Sequence, residues 1–174
     1  MGDIDNKVKQ LNSGLLGYHG IEYVLFRSGQ PRDISQITDL EYKYVCAVAN
    51  DLYQATCVLQ TTWEGAKSGS RYDIAMNYLR SHNALDNDGN VTDEGLSYKN
   101  FGSVFKNTPS EDYKSDLDAT IQIIEGARNI INEVGGSKIG MPWSDEDPSY
   151  IESPFAYNSI VDFYDNIAGC KNAL

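Results

Sequence analysis

Apolar residues recur along most of the chain at intervals of three and four, the spacing that gathers one face of an α-helix. From about Val8 to Phe26 the apolar positions Val8, Leu11, Leu15, Leu16, Tyr18, Ile21, Tyr23, Val24, Leu25 and Phe26 begin on one face and then spread around the axis. A helix apolar on most sides is a buried one, so a core helix is expected here. The turn Ser28-Gly29-Gln30-Pro31-Arg32-Asp33 should end it, because glycine and proline break helices and proline disfavours helical geometry in the residue before it. A long second helix is expected from about Ile37 to Gly65, with Leu40, Tyr44, Val45, Val48, Leu52, Ala55, Val58, Leu59 and Trp63 as its stripe.

Tyr72 to His82 reads as a shorter helix, and Asn83 to Gly102 has the Asp, Asn and Gly density of a loop. Pro109-Ser110-Glu111-Asp112 is expected to open another helix, with acidic residues at the positive end of its dipole. Its stripe of Leu117, Ile121, Ile124, Ile131 and Val134 should stop at Gly135-Gly136. Lys138 to Pro154, rich in proline and holding Asp145-Glu146-Asp147, reads as a connector. A last helix from about Tyr157 to Lys171 would turn Ile160, Val161, Phe163, Tyr164 and Ile167 towards a core. No period-two strand pattern persists and no internal repeat is found. The pattern predicts an all-α fold, a helical bundle.

Composition narrows the function. The 174 residues suffice for one domain with a substantial core. With 14 Lys plus Arg against 25 Asp plus Glu the formal net charge is −11, a field that repels nucleic acid and anionic membrane surfaces. No stretch approaches the roughly 20 apolar residues of a membrane span, and the start lacks the basic-then-apolar order of a signal peptide. Met1-Gly2 resembles a myristoylation start, but Asn6 stands where that motif needs Ser or Thr. Cys46, Cys57 and Cys170 have no CxxC spacing, so neither a disulfide framework nor a zinc knuckle is indicated. On one helix, Cys46 and Cys57 would lie roughly 16 Å apart, beyond disulfide reach. Buried thiols are expected.

Chemistry concentrates in Gly17-Tyr18-His19-Gly20-Ile21-Glu22. On a helix, His19 and Glu22 lie about 60° apart and one turn along, so both side chains can address one point. That suits a metal ion or a shared proton, and a carboxylate in so apolar a segment is costly unless it is paired or bound to a cation. A hydrogen-bonded His–Glu pair that only stabilises packing fits the same spacing. Gly17 and Gly20 would each weaken a helix interior by about 1 kcal/mol, a cost that points to close backbone approach. The zincin HExxH is absent, as is the Glu-x-x-His of di-iron bundles, and two donors make an incomplete site. Asp86-Asn87-Asp88-Gly89-Asn90-Val91 resembles part of a calcium loop. Its first and twelfth positions fall on Ala84 and Gly95, so a solvated turn is the better reading. His82 reads as a structural residue at a helix end, and Arg27 and Arg32 as solvated charges beside a turn, with an anion as the alternative. Phosphate-binding and acyl-enzyme motifs are absent.

The run from Gly17 to Phe26 resembles the GxHxxE signature of the imelysin-like proteins, also classed as peptidase family M75. Glu152-Ser153-Pro154-Phe155-Ala156-Tyr157-Asn158-Ser159, followed by Asp162, Phe163, Asn166 and Ile167, resembles a second segment of that family. The resemblance covers essentially the whole chain as one imelysin-like domain. It implies an all-helical fold of bundle-like halves, and a metal site, for iron or another divalent ion, that uses His19 and Glu22. Gly17 would be the motif's first residue, and Ser153, Asn158 and Asp162 would line the site. It further implies a bacterial cell-envelope or lipoprotein location, a part in iron uptake with envelope components as partners, and, as alternatives, a metallopeptidase or a non-catalytic scaffold. Family members are longer, so this chain is expected to be the middle of a longer protein. An envelope location would also permit thiol oxidation.

Overall fold

The computed structural model describes residues 2–11, 13–82, 84, 88, 101–110 and 112–174. Among these the regular structure is helical apart from one two-residue ladder: α1 (Gly2–Val8), α2 (Gly17–Leu25), β1 (Phe26–Arg27), β2 (Gln30–Pro31), α3 (Asp39–Glu64), α4 (Ser70–Ser81), α5 (Phe101–Lys106), α6 (Asp116–Asn132), α7 (Met141–Trp143) and α8 (Ser159–Ala173). The fold is all-α. The backbone divides into two compact units, Met1–Ile21 with Thr38–Tyr113, and Glu22–Ile37 with Lys114–Leu174.

The first unit is organised by α3, which packs on α1, α4 and α5. Its N-terminus is set by a capping box: Thr38 Oγ1 accepts from the Glu41 N–H, and the Glu41 carboxylate accepts from the Thr38 N–H. Its C-terminus is Gly65 in the left-handed conformation, φ 65°. Cys57 and Val58 pack with Ala75, Leu79 and Ala84, while Ala47 and Val48 pack with Val8. Leu40, Leu59 and Trp63 of the expected stripe are exposed. The single helix expected over Val8–Phe26 is interrupted: α1 ends at Val8, Ser13–Leu15 forms one 3-10 turn, and α2 restarts at Gly17. The break falls where Gly14 and Gly17 interrupt the run, and Gly17 has φ 66°.

In the second unit α6 packs on α8, where Cys170 Sγ donates to the Ala127 carbonyl at 3.5 Å. Phe26 pairs with Pro31 and Arg27 with Gln30, closed by Ser28 (φ 51°) and Gly29 (φ 76°). Two positive φ angles in succession are what a tight two-residue hairpin needs. Helix α6 starts later than expected, at the Ser115 cap, whose Oγ accepts from the Asp118 N–H. It also runs on past Gly135-Gly136, as a π-helical stretch over Glu133–Gly140 that leads into α7. Neither glycine has positive φ, so neither supplies the left-handed cap that ended α3. The expected stripe is also corrected. Leu117, Ile121, Ile124 and Ile131 are exposed and only Val134 of that stripe is buried, beside Ala119 and Ala127, whose small side chains allow the close helix approach. Ile160, Val161, Tyr164 and Ile167 of α8 are likewise exposed.

Cys57 and Cys170 are buried and Cys46 half-buried, all three as free thiols. Glu111 and the candidate calcium segment, apart from Asp88, lie outside the described residues.

Candidate functional site

Gly17 opens α2 rather than sitting inside it, and a Cβ there would meet nothing within 4 Å, so its positive φ is what favours glycine. Gly20 is the interior glycine, and space decides it. A Cβ at Gly20 would lie 2.7 Å from the Leu15 carbonyl oxygen and 3.0 Å from the Tyr44 hydroxyl, which itself donates to that carbonyl at 2.5 Å. The close backbone approach expected of this segment therefore occurs at Gly20 and comes from packing in the first unit. His19, between the two glycines, is exposed.

Glu22 stands one turn further along α2 and is half-buried. Its Oε1 accepts two main-chain hydrogen bonds, from the N–H of Phe155 at 3.1 Å and of Ala156 at 2.7 Å. Two successive amides converging on one carboxylate oxygen form a small anion-binding concavity, and bonds to a charged acceptor are the stronger kind. The same turn is held from two further directions. The Gly29 N–H donates to the Phe155 carbonyl at 2.9 Å, and the Tyr23 ring meets Phe155 edge-on, with centroids 5.1 Å apart and planes at 81°. Glycine is required at position 29 as well, since a Cβ would lie 2.6 Å from Cδ2 of Tyr157.

The turn itself is strained. Ser153 (φ 45°) and Tyr157 (φ 58°) both occupy the left-handed region that non-glycine residues rarely enter. The Tyr157 N–H donates to the Ser153 carbonyl at 3.0 Å, and side chains hold the residues around it. Ser153 Oγ donates to Asp162 Oδ2, and Asn158 Nδ2 donates to Asp162 Oδ1 at 3.2 Å, so both Asp162 oxygens are engaged. Asn158 precedes α8 without capping it, because its side chain is turned to Asp162. Lys138 Nζ lies 3.0 Å from Glu152 Oε2 and 3.8 Å from Glu133 Oε1, fixing the residue before Ser153.

Arg27 and Arg32, expected as charges beside a turn, are half-buried and close the end of α2. Arg27 donates to the carbonyls of Tyr23 and Phe26 and lies 3.9 Å from the Tyr23 ring centroid. Arg32 donates to the carbonyls of Val24 (2.9 Å) and Gln36 (2.6 Å). Cations at a helix C-terminus satisfy its last carbonyls.

Sequence reasoning selected Glu22, Ser153, Asn158 and Asp162 but not the Phe155 and Ala156 amides that Glu22 binds. Main-chain groups carry no residue signature, and only the Ser-Pro break hinted at an irregular backbone there. His19 and Glu22 can supply an imidazole nitrogen and a carboxylate oxygen. Among the described residues no group of three or more His, Cys, Asp or Glu side chains converges.

An all-α protein with a His-x-x-Glu helix whose glutamate is fastened to a strained Ser-Pro turn is the class that fold and site define. The sequence profile of imelysin, peptidase M75, matches residues 2–174, and the chain belongs to that family. No curated protein and no solved structure matches it. No described helix is long and apolar enough to cross a membrane.

Proposed function

We propose that this chain is a cation-binding module of a bacterial envelope iron-uptake system, with His19 and Glu22 as donors to an iron ion carried as cargo. The supporting observation is the anchoring of Glu22: two amides hold Oε1 in place, so the carboxylate is oriented before any ion arrives. Pre-orientation removes the ordering cost that a free surface carboxylate would bear on binding. His19 lies one turn back on the same helix and is exposed, so it is reachable. The remaining coordination positions belong to water or to groups that accompany the ion, which keeps binding reversible. Ser153, Asn158 and Asp162 act on the site indirectly, by holding the turn whose amides hold Glu22. The net charge of −11 favours a cationic cargo.

Anaerobic calorimetric titration of the His82→Gln chain with ferrous ion tests this. A saturable signal that His19→Ala abolishes, with an unchanged circular dichroism spectrum, is the expected result. Equal binding with and without His19 would overturn it. Chelator-sensitive cleavage of an unstructured substrate by the same preparation would favour the metallopeptidase alternative.

A further inference from the structure

The chain has two histidines, and the second lies in an unusual setting inside the first unit. His82 follows α4 and stacks on Tyr78, with ring centroids 4.0 Å apart. Its Nδ1 is 2.9 Å from the Tyr78 main-chain oxygen. A carbonyl only accepts, so Nδ1 carries the hydrogen, and in the neutral ring Nε2 is left as a lone-pair acceptor. That nitrogen faces Asp51 Oδ1 of α3 across 4.0 Å. Asp51 is only 6% exposed, and Oδ1 has no hydrogen-bond partner. Two acceptors turned towards each other, one of them buried and unpartnered, leave a gap that calls for an electropositive occupant.

We infer that His82 Nε2 and Asp51 Oδ1 are the protein donors of a second cation site, one that takes a borderline divalent transition-metal ion of the zinc or nickel class. An imidazole with a carboxylate selects such ions over calcium or magnesium, which prefer all-oxygen ligands. The Nδ1–H bond to a main-chain carbonyl is the outer support that metal-bound imidazoles have. Two donors tetrahedrally disposed at about 2.0–2.1 Å from one ion lie about 3.4 Å apart. The observed 4.0 Å closes to that by a small rotation of the His82 ring, whose side chain is 27% exposed and so open to an arriving ion. Water completes the coordination from that open side.

Zinc titration of the metal-free His19→Ala chain, followed through its one remaining imidazole by 15N NMR, tests the assignment. Nε2 is expected to move saturably to a metal-bound position, and the melting temperature to rise with zinc. His82→Gln in that background should abolish the rise, and the near-isosteric Asp51→Asn should weaken zinc by about tenfold or more, as loss of a ligand shell does. A zinc-insensitive Nε2 that responds only to acid would overturn the assignment and give the gap to a proton. Zinc affinity unaltered by Asp51→Asn would overturn it too. The ferrous titration of the His82→Gln chain is read independently, so failure at one pair of donors does not count against the other.

Discussion

Oε1 of Glu22 takes hydrogen bonds from residues 133 and 134 positions further along the chain. Truncating that side chain leaves two N–H groups of a half-buried turn without their acceptor, at about 1–3 kcal/mol. Glu22→Ala should therefore lower stability by about that much in urea titration, whereas Glu22→Gln, which keeps an acceptor oxygen, should lower it less while still weakening iron. Equal losses for the two variants would mean the turn does not depend on the oxygen. Gly20→Ala should cost about 1–3 kcal/mol, because the nearest neighbour of the added methyl is a main-chain carbonyl that cannot swing aside. His19 and Glu22 were legible in the sequence, since chemistry-bearing side chains in a mostly apolar helix stand out. Asp51 was not. It is one acidic residue in a long helix of mixed pattern, and only the fold brings His82 to its oxygen. Tyr78 offers a check on that pair. Asp51→Asn should bring the Tyr78 phenol back down, yet leave it above 10.0, because burial is the larger cause. A group raised in the fold stabilises below its unfolded pKa and loses that contribution as pH climbs past it, so the Tyr78 share disappears only on the alkaline side of 10.0.

At the scale of elements, helix ends separate what the sequence disclosed from what it hid. Helix α3 matched its expected span closely because both ends carry local chemistry, the Thr38–Glu41 box and the left-handed Gly65. Thr38→Ala should cost about 1 kcal/mol by removing the oxygen that receives the Glu41 N–H, measurable as a lower denaturation midpoint. Where such marks were misleading, the reading failed. Gly135-Gly136 resembled a stop, but without positive φ the backbone continued through them in a wider helical turn. Pro109 to Asp112 resembled a start, but the cap is Ser115. The helical spacing of apolar residues before Phe26 concealed a break ahead of Gly17, where a conformational requirement outweighed hydrophobic periodicity. In α6 the faces were misassigned for a different reason. Helices that approach closely bury alanine, so Ala119 and Ala127 face inward while larger residues stay out.

For the molecule as a whole, composition sets the long-range field. A formal charge of −11 persists as a field that concentrates cations near the surface, so iron affinity should fall as monovalent salt is raised and screening shortens. The family was legible because two short segments far apart in sequence both carry its pattern, and the profile match over residues 2–174 agrees with them. What sequence could not reveal is that the second segment meets Glu22 of the first through the main-chain amides of Phe155 and Ala156. The central claim, that His19 and the anchored Glu22 hold iron, is tested most directly by the iron X-ray absorption spectrum of the ferrous-loaded His82→Gln chain. With His19 the sole imidazole, the account predicts one imidazole scatterer in a shell otherwise of oxygen, absent in the His19→Ala protein. An all-oxygen shell with His19 intact would contradict it.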